Sequence, residues 1–141
     1  MQYYLSLGSN IGAREQTLRT AIQLIEQQIG PVPRCSSFYY SAPWGYASAH
    51  EYCNMCCVVE SALPPMEVLH ATQTIERQLG RTHKTIDGKY SDRTIDIDII
   101  EAYDGPNEIQ IHTPELQLPH PLWTQRDFVR IPLEEIKEKE R

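Results

Sequence analysis

Two aspartates separated by a single residue, Asp96 and Asp98, are the clearest candidates for chemistry in this sequence. They lie in the segment Thr94–Ile100, where isoleucines alternate with polar residues as in a strand that is buried on one face. Both carboxylates then project from the same face, with their Cα atoms about 6.5–7 Å apart. Hard oxygen ligands at this separation suit one or two Mg²⁺ ions that hold a polyphosphate. The alternative interpretation is a polar face of the sheet that meets solvent.

Positive charge is concentrated just before this strand, in a sequence that is otherwise acidic. Two aspartates, Asp87 and Asp92, offset part of it. Beside a pair of metal-binding carboxylates, such a segment would contact phosphate oxygens. The alternative is a solvated surface loop. The basic residues are Arg81, Lys84, Lys89 and Arg93.

Other polar residues are spaced so that they could contact a ligand. Gln73 and Glu76 are three residues apart and share one face of a predicted helix, although such pairs usually form its solvated side. His120 lies between two prolines, which fix the backbone that carries the ring, and a structural role is the alternative. Tyr52 and Asn54 alternate onto one face of a predicted strand, so a ring and an amide could address the same ligand.

A zinc site is a competing interpretation of a histidine and three cysteines. The spacing of His50, Cys53, Cys56 and Cys57 resembles a metal-binding hook. In an extended strand, however, Cys56 points away from both Cys53 and Cys57. We therefore favour buried thiols of the core.

The elements that must position these residues follow from hydrophobic periodicity and from glycine and proline. Their predicted order is strand, helix, strand, strand, helix, strand, followed by a short C-terminal strand and one or two short helices. This is the order of a ferredoxin-like βαββαβ core, an α+β fold with both helices on one face of an antiparallel sheet. We predict a single domain over residues 1–141, with strands at 3–7, 35–40, 52–60, 94–100 and 108–111 and helices at 14–29 and 64–79.

Composition and charge restrict the class of protein. With 141 residues and a net charge of −6, the chain is a poor general binder of nucleic acid or anionic membranes. No apolar run approaches the roughly 20 residues of a membrane span, and the N-terminus lacks the pattern of a signal peptide. We therefore expect a cytoplasmic protein with four reduced cysteines. The P-loop pattern is absent.

Short segments distributed from about Tyr4 to Ile136 together form a specific pattern, although each is weak alone. They are Leu7–Asn10, Ser37–Tyr39 before Pro43 and Gly45, Tyr52 with Asn54, Gln73 and Glu76 before Gly80-Arg81, Asp92–Asp98, Leu118–Pro121 and Arg126 with Phe128-Val129. In their order and spacing they resemble the hydroxymethyl-dihydropterin pyrophosphokinase family of folate biosynthesis.

The resemblance implies a reaction and a set of site residues. Pyrophosphate would pass from ATP to the hydroxymethyl group of a reduced pterin, with release of AMP. Asp96 and Asp98 would hold two Mg²⁺ ions on the triphosphate and, with Arg81 and Arg93, form the catalytic group. The pterin would contact Tyr52, Asn54, Phe128, Ser41, Ala42 and Trp44. The nucleotide would contact Gln73, Glu76, His83, Tyr90, Arg93, His120 and Arg126. Arg81, His83 and Tyr90 lie where the family has a mobile loop that closes over ATP.

The sequence departs from the family pattern near that loop. Ser91-Asp92 stands where Gly-Pro is more frequent, which adds a negative charge near the phosphates. His83 stands where an arginine is frequent, and Glu115 where some members carry a basic residue. None of these changes affects Asp96 or Asp98.

Two other functions are compatible with the predicted fold. Palm-type nucleotidyl transferases and cyclases also place paired aspartates on a ferredoxin-like sheet, but Tyr52, Asn54 and Phe128 favour an aromatic heterocycle as acceptor. A ligand-binding module without catalysis would not need both aspartates. We expect small-molecule partners, ATP and the hydroxymethyl dihydropterin, with no nucleic acid and no membrane. A monomer is the default expectation, and a dimer is possible.

Overall fold

A computed structural model describes residues 1–42, 51–80 and 94–138. Twelve elements lie in these ranges. They are β1 (Gln2–Ser9), α1 (Arg14–Gln28), β2 (Arg34–Cys35), β3 (Tyr39–Ser41), β4 (Tyr52–Glu60), α2 (Pro65–Gln78), β5 (Asp96–Asp104), β6 (Asn107–Glu108), β7 (Ile111–His112), β8 (Gln117–Leu118), the short 3₁₀ helix η1 (Trp123–Gln125) and α3 (Asp127–Glu138).

Strand β1 is the centre of the main sheet. It pairs antiparallel with β4 on one side and with β5 on the other. Strands β2 and β3 both pair with β4, and β6 continues the sheet beyond β5. When β2 and β3 are counted as one interrupted strand, the spatial order is fourth, first, third, second. The predicted ferredoxin-like α+β fold is therefore confirmed.

The two faces of the sheet are buried by different helices. Alternate residues of β1, such as Leu5 and Leu7, pack against α1 and α2. The intervening residue Tyr4 belongs to a second cluster, which α3 covers with Val129 and Leu133. The face under α3 is thus the one toward which even-numbered residues of β1 and β4 point. No helix in the described ranges is long and apolar enough to cross a membrane.

The predicted strand over 35–40 is wrong, because it is two short strands with an interruption at Ser36–Phe38. The Ser36 N–H donates to the Cys56 carbonyl at 2.8 Å, as in a regular ladder. The Cys56 N–H, however, donates at 2.9 Å to the hydroxyl Oγ of Ser36 and not to a carbonyl. A side chain therefore replaces the backbone at this point, and the ladder stops until Tyr39.

The last part of the chain also differs from its prediction. Strand β5 begins at Asp96 and continues to Asp104, beyond the predicted end at Ile100. The predicted strand at 108–111 is replaced by β6, which forms a hairpin with β5, and by β7, which pairs with β8. These strands are two residues long. Hydrophobic alternation cannot be recognised over such a length.

Strand β5 contains a bulge that the sequence analysis did not predict. Leu5 of β1 faces Ile99, but Tyr4 faces Glu101, so Ile100 is an additional residue. A residue inserted in this way reverses the alternation beyond it. Ile99 packs under α1 and α2 and Ile100 under α3, as ordinary alternation requires, but beyond the bulge it is Ala102 and not Glu101 that packs under α1 and α2.

Candidate functional site

Three adjacent strands place a carboxylate, a glycine and an amide in one row. Gly8 of β1 is paired with Asn54 of β4 and with Asp96 of β5. In the next row under α3, Ser6 lies between Cys56 and Asp98. Neighbouring strands are about 4.8 Å apart, so the Cα atoms of Asn54 and Asp96 are separated by about 10 Å. This distance leaves room for a small ligand between them.

Gly8 makes the surface between these side chains low. A Cβ atom on Gly8 would lie 3.0 Å from Oδ1 of Asn54 and 3.4 Å from Cδ1 of Tyr52. The ring of Tyr52 and the amide of Asn54 therefore occupy the space that a side chain would take. A glycine within a strand often marks a place where another group approaches the backbone closely.

The amide of Asn54 is fixed by the neighbouring strand β3. Its Nδ2 donates to the carbonyl of Tyr39 at 2.9 Å and to the hydroxyl of Ser41 at 2.8 Å. The side chain is almost completely buried, at 3% exposure. Both amide hydrogens are used within the protein, and Oδ1 is the atom that these bonds leave available as an acceptor. Ser41 itself is paired with Tyr52, and Ala42 follows it in an exposed position.

The two aspartates are half-buried, and Asp96 interacts electrostatically with His120. The backbone N–H of His120 donates to the Ile100 carbonyl at 2.8 Å, so this residue is held against β5. Its Nδ1 accepts the N–H of Leu122 at 3.2 Å, which places the proton of the neutral ring on Nε2. Burial lowers the pKa of His120, Arg126 lowers it further, and Asp96 opposes both effects. The ring is therefore neutral at pH 7.

Glu76 stabilises the strand that carries the aspartates. Its Oε2 accepts the N–H of Ile97 at 2.8 Å, and the side chain is buried. Ile97 is the residue between Asp96 and Asp98, so this bond fixes the strand edge where both carboxylates emerge. Gln73, one helical turn earlier, is exposed.

The start of α3 brings an aromatic ring and a cation to the same side of the sheet. Phe128 is partly buried against the cluster under α3. The guanidinium of Arg126 lies 5.9 Å from the centre of the Phe128 ring. Cation and ring at this distance attract each other. Both residues belong to the segment that follows His120.

Several predicted site residues lie outside the described ranges, and no geometry is assigned to them. They are Trp44, Arg81, His83, Tyr90 and Arg93. His50 of the alternative zinc site lies outside them as well. In the part of the chain that the structure describes, no three histidine, cysteine or acidic side chains come together as a metal group. Cys53 and Cys57 pack under α1 and α2, and Cys56 packs under α3.

Sequence reasoning missed two contributions to this face. Gly8 was recognised only as part of a motif, and the signal that could have identified its role is a glycine inside an apolar strand. The bond from Ile97 to Glu76 had no signal, because a helix residue and a strand edge meet only after folding.

The fold and this face define a class: ferredoxin-like α+β proteins whose sheet carries a polar, ligand-sized face opposite its first two helices. The comparison with protein families is more specific. Residues 4–138 match the family described as 7,8-dihydro-6-hydroxymethylpterin-pyrophosphokinase (HPPK). The chain belongs to this family, as its sequence motifs predicted.

Curated relatives carry the corresponding name. The chain is 46% identical over 133 residues to a 2-amino-4-hydroxy-6-hydroxymethyldihydropteridine pyrophosphokinase of Porphyromonas gingivalis, covering 94% of this chain and 88% of the relative. A protein of the same name from Bacillus subtilis is 40% identical over 134 residues, covering 94% and 76%. A solved Plasmodium falciparum HPPK-DHPS chain matches with a TM-score of 0.69 at 15% identity, covering 94% of this chain. This chain spans 40% of the length of that solved chain, and the likeness shows the fold alone.

Proposed function

We propose that the face formed by Asn54, Gly8 and Asp96 binds a hydroxymethyl dihydropterin and ATP side by side. Membership of the family supports the reaction: pyrophosphate passes from ATP to the hydroxymethyl group of 6-hydroxymethyl-7,8-dihydropterin, in folate biosynthesis. AMP is the other product. The observation that carries the location of the site is the row across three strands, in which a glycine separates an amide from a carboxylate.

The pterin occupies the side of Asn54. Its ring lies between the aromatic side chains of Tyr52 and Phe128, because offset stacking favours a flat heterocycle. Oδ1 of Asn54 accepts a hydrogen bond from the amino or ring N–H groups of the pterin, since Nδ2 is already used. We assign further pterin contacts to Ser41 and Ala42 and, as the family resemblance implies, to Trp44.

The triphosphate occupies the side of Asp96 and Asp98. Two half-exposed carboxylates on one strand face are the hard oxygen donors that Mg²⁺ prefers, so the residues present fit this metal. We propose that they hold two Mg²⁺ ions, as the resemblance to the family implies.

When bound, Mg²⁺ neutralises charge on the phosphate oxygens and orients them for in-line transfer. Arg126 and the Nε2–H of His120 donate to phosphate oxygens. We assign further nucleotide contacts to Gln73, Glu76, Arg81, His83, Tyr90 and Arg93, and among these Arg81 and Arg93 to the catalytic group.

We further propose that the enzyme acts in the cytoplasm as a single domain, by default a monomer, without nucleic acid or membrane partners. The net charge of −6 would repel a polyanionic partner such as nucleic acid or an anionic membrane. Small anionic substrates can still bind where cations and metal are concentrated locally.

A product analysis tests the reaction. The protein is incubated with ATP, Mg²⁺ and 6-hydroxymethyl-7,8-dihydropterin, and the nucleotide and pterin products are separated. We expect AMP and the pyrophosphorylated pterin in equal amounts. Release of ADP would indicate transfer of a single phosphoryl group, release of free pyrophosphate would indicate a nucleotidyl transferase or cyclase, and no product would indicate a binding module. Each of these results would contradict the proposal.

Paired variants test the location of the two substrates. Tyr52→Ala and Phe128→Ala remove one wall of the pterin pocket each. Aromatic stacking contributes about 0.5–1.5 kcal/mol beyond the buried area, so pterin affinity should fall much more than affinity for a non-hydrolysable ATP analogue. Calorimetry with each ligand measures both values. Equal losses for the two ligands would indicate general unfolding and would contradict a separate pterin site.

A further inference from the structure

The C-terminal segment from His120 to Glu138 carries three of the proposed ligand contacts and packs over the site face of the sheet. Most of its packing is apolar, through Val129, Leu133 and Ile136. Apolar contact is not directional and does not by itself fix how far a helix slides or turns on a sheet. One charged residue of the sheet, Glu101, is buried beneath this segment, at 5% exposure.

The bulge in β5 is the reason that Glu101 faces α3. Without the bulge, Ile100 would pair with Tyr4, and strict alternation would direct Glu101 to the face covered by α1 and α2. With the bulge, Glu101 is paired with Tyr4 and lies on the face of the proposed site. The hydroxyl of Tyr103 lies 3.3 Å from Oε2 of Glu101, which orients the carboxylate.

Lys137, in the last turn of α3, completes this arrangement. Its Nζ forms an ion pair with Oε1 of Glu101. The same ammonium lies 5.1 Å from the ring centre of Tyr4 in the sheet and 5.9 Å from that of Trp123 in η1. One cation therefore contacts the sheet, η1 and its own helix. Trp123 is three residues before Arg126, and the Arg126 N–H donates to the Trp123 carbonyl at 3.2 Å.

We propose that Glu101 and Lys137 are a positioning pair for pyrophosphate transfer, since they fix the C-terminal segment so that Arg126 and Phe128 stand at the substrates. This inference rests on the proposed function. The pair itself is at the opposite end of α3 from Phe128 and contacts neither substrate. The pair has a preferred geometry, because the Glu101 carboxylate is buried, and a slide of the helix that withdraws the partly exposed Lys137 ammonium leaves this carboxylate without its cation. It thus selects one position of a helix that apolar packing would allow in several.

Neutralising both partners together separates positioning from stability. In Lys137→Met, the carboxylate of Glu101 stays buried without its cation, so both stability and pterin affinity should fall. In the double variant Glu101→Gln with Lys137→Met, no charge is left unpaired and stability should return. We expect pterin affinity and kcat/KM to stay at least about tenfold below the parent, since small displacements of positioning groups cost this much or more. Lys137→Arg keeps the charge and the ring contacts and should behave as the parent.

The measurements are the melting temperature, the pterin Kd in the presence of an ATP analogue, and kcat and KM for each substrate. The fluorine NMR signal of fluorotryptophan at Trp123 reports the position of η1 directly. It should be single in the parent and in Lys137→Arg, and broadened or split in the double variant. If the double variant regains parental affinity together with parental stability, the pair is structural only and the proposal is wrong. Retention of parental affinity by Lys137→Met also contradicts it.

Failure of the proposed function would have a different signature. In that case the parent protein itself would form no AMP from ATP and hydroxymethyl dihydropterin. A parent that forms AMP beside a fully active double variant overturns the positioning role alone. Should Lys137→Met not fold, the comparison of the double variant with Lys137→Arg decides the matter.

Discussion

Gly8→Ala adds a single methyl group at the centre of the proposed pterin pocket. The new Cβ would lie 3.0 Å from Oδ1 of Asn54, which is closer than ordinary carbon–oxygen contact, and 3.4 Å from Cδ1 of Tyr52, which is ordinary contact. Asn54 must therefore move by a few tenths of an ångström. It cannot do so freely, because Nδ2 is held by Tyr39 and Ser41 at 2.9 and 2.8 Å.

The magnitude follows from the bonds at stake. Weakening the hydrogen bonds of a buried amide and displacing its acceptor oxygen should cost about 1–2 kcal/mol, or about 5- to 30-fold in the pterin Kd. The three atoms nearest the new Cβ belong to Asn54 and Tyr52 and none to Asp96, so the Kd of the ATP analogue should change less than about twofold. Isothermal calorimetry with each ligand measures the two effects.

Two further variants make this test specific. In an Asn54→Ala background the methyl group meets no amide oxygen, so Gly8→Ala should then cost much less. Gly30→Ala is the matched control, because its Cβ would lie 1.9 Å from the Glu60 carbonyl oxygen, outside the site. It should lower the melting temperature, and any change in Kd should be similar for the pterin and for the ATP analogue. Equal loss of both ligands in Gly8→Ala, or the same cost in the Asn54→Ala background, would refute the reasoning.

Three other expectations concern metal, thiols and pH. Asp96→Asn and Asp98→Asn should each raise the barrier by several kcal/mol and so slow AMP release about 10³-fold, with an unchanged circular dichroism spectrum. Near-normal turnover at moderate Mg²⁺ would contradict the metal assignment. Burial raises the pKa of Cys56 to about 12, so peptide mapping after alkylation should find Cys35 modified first and Cys56 only after unfolding; equal labelling of the two would contradict the burial. Because the folded pKa of His120 is lowered, the unfolded chain binds the proton first, and stability should fall as pH drops through about 6.5. Urea unfolding without Mg²⁺ at about pH 5 and about pH 7.5 should show a smaller loss in His120→Gln, and an identical loss would contradict this.

Local pattern was enough for the elements that have a full hydrophobic period. The prediction of β4 as 52–60 agrees with Tyr52–Glu60, and the alternation around Asp96 and Asp98 agrees with a strand. Strand β4 is a nearly continuous apolar run that is buried on both faces, whereas β5 begins with alternating aspartates and buried isoleucines, so in each strand the residue types indicate the burial. The ferredoxin-like order then follows from the sequence of strands and helices.

Tertiary contacts decided the features that the pattern could not predict. The ladder at Ser36 is interrupted by a hydroxyl that bonds to Cys56, twenty residues away along the chain. The bulge residue Ile100 has the same side chain as Ile99 before it, so hydrophobic alternation does not show which residue is inserted. For the site, the aspartates and Asn54 were identified as candidates from the sequence, whereas the space above Gly8 depends on the register of two strand pairs.

The central position of β1 has a consequence for the order in which the molecule matures during synthesis. Gly8 leaves the ribosome early, and its partner Asn54 follows after one helix has been made. Asp96 follows much later, and the segment from His120 to Lys137 comes after it. Until β5 has been made, one edge of β1 has no backbone partner, and an unpaired edge can join another chain. The nascent protein therefore pairs Gly8 with Asn54 before Asp96 is added. If synthesis halts between the two steps, the chain has an unpaired strand edge that can aggregate, and it lacks the aspartates needed for catalysis.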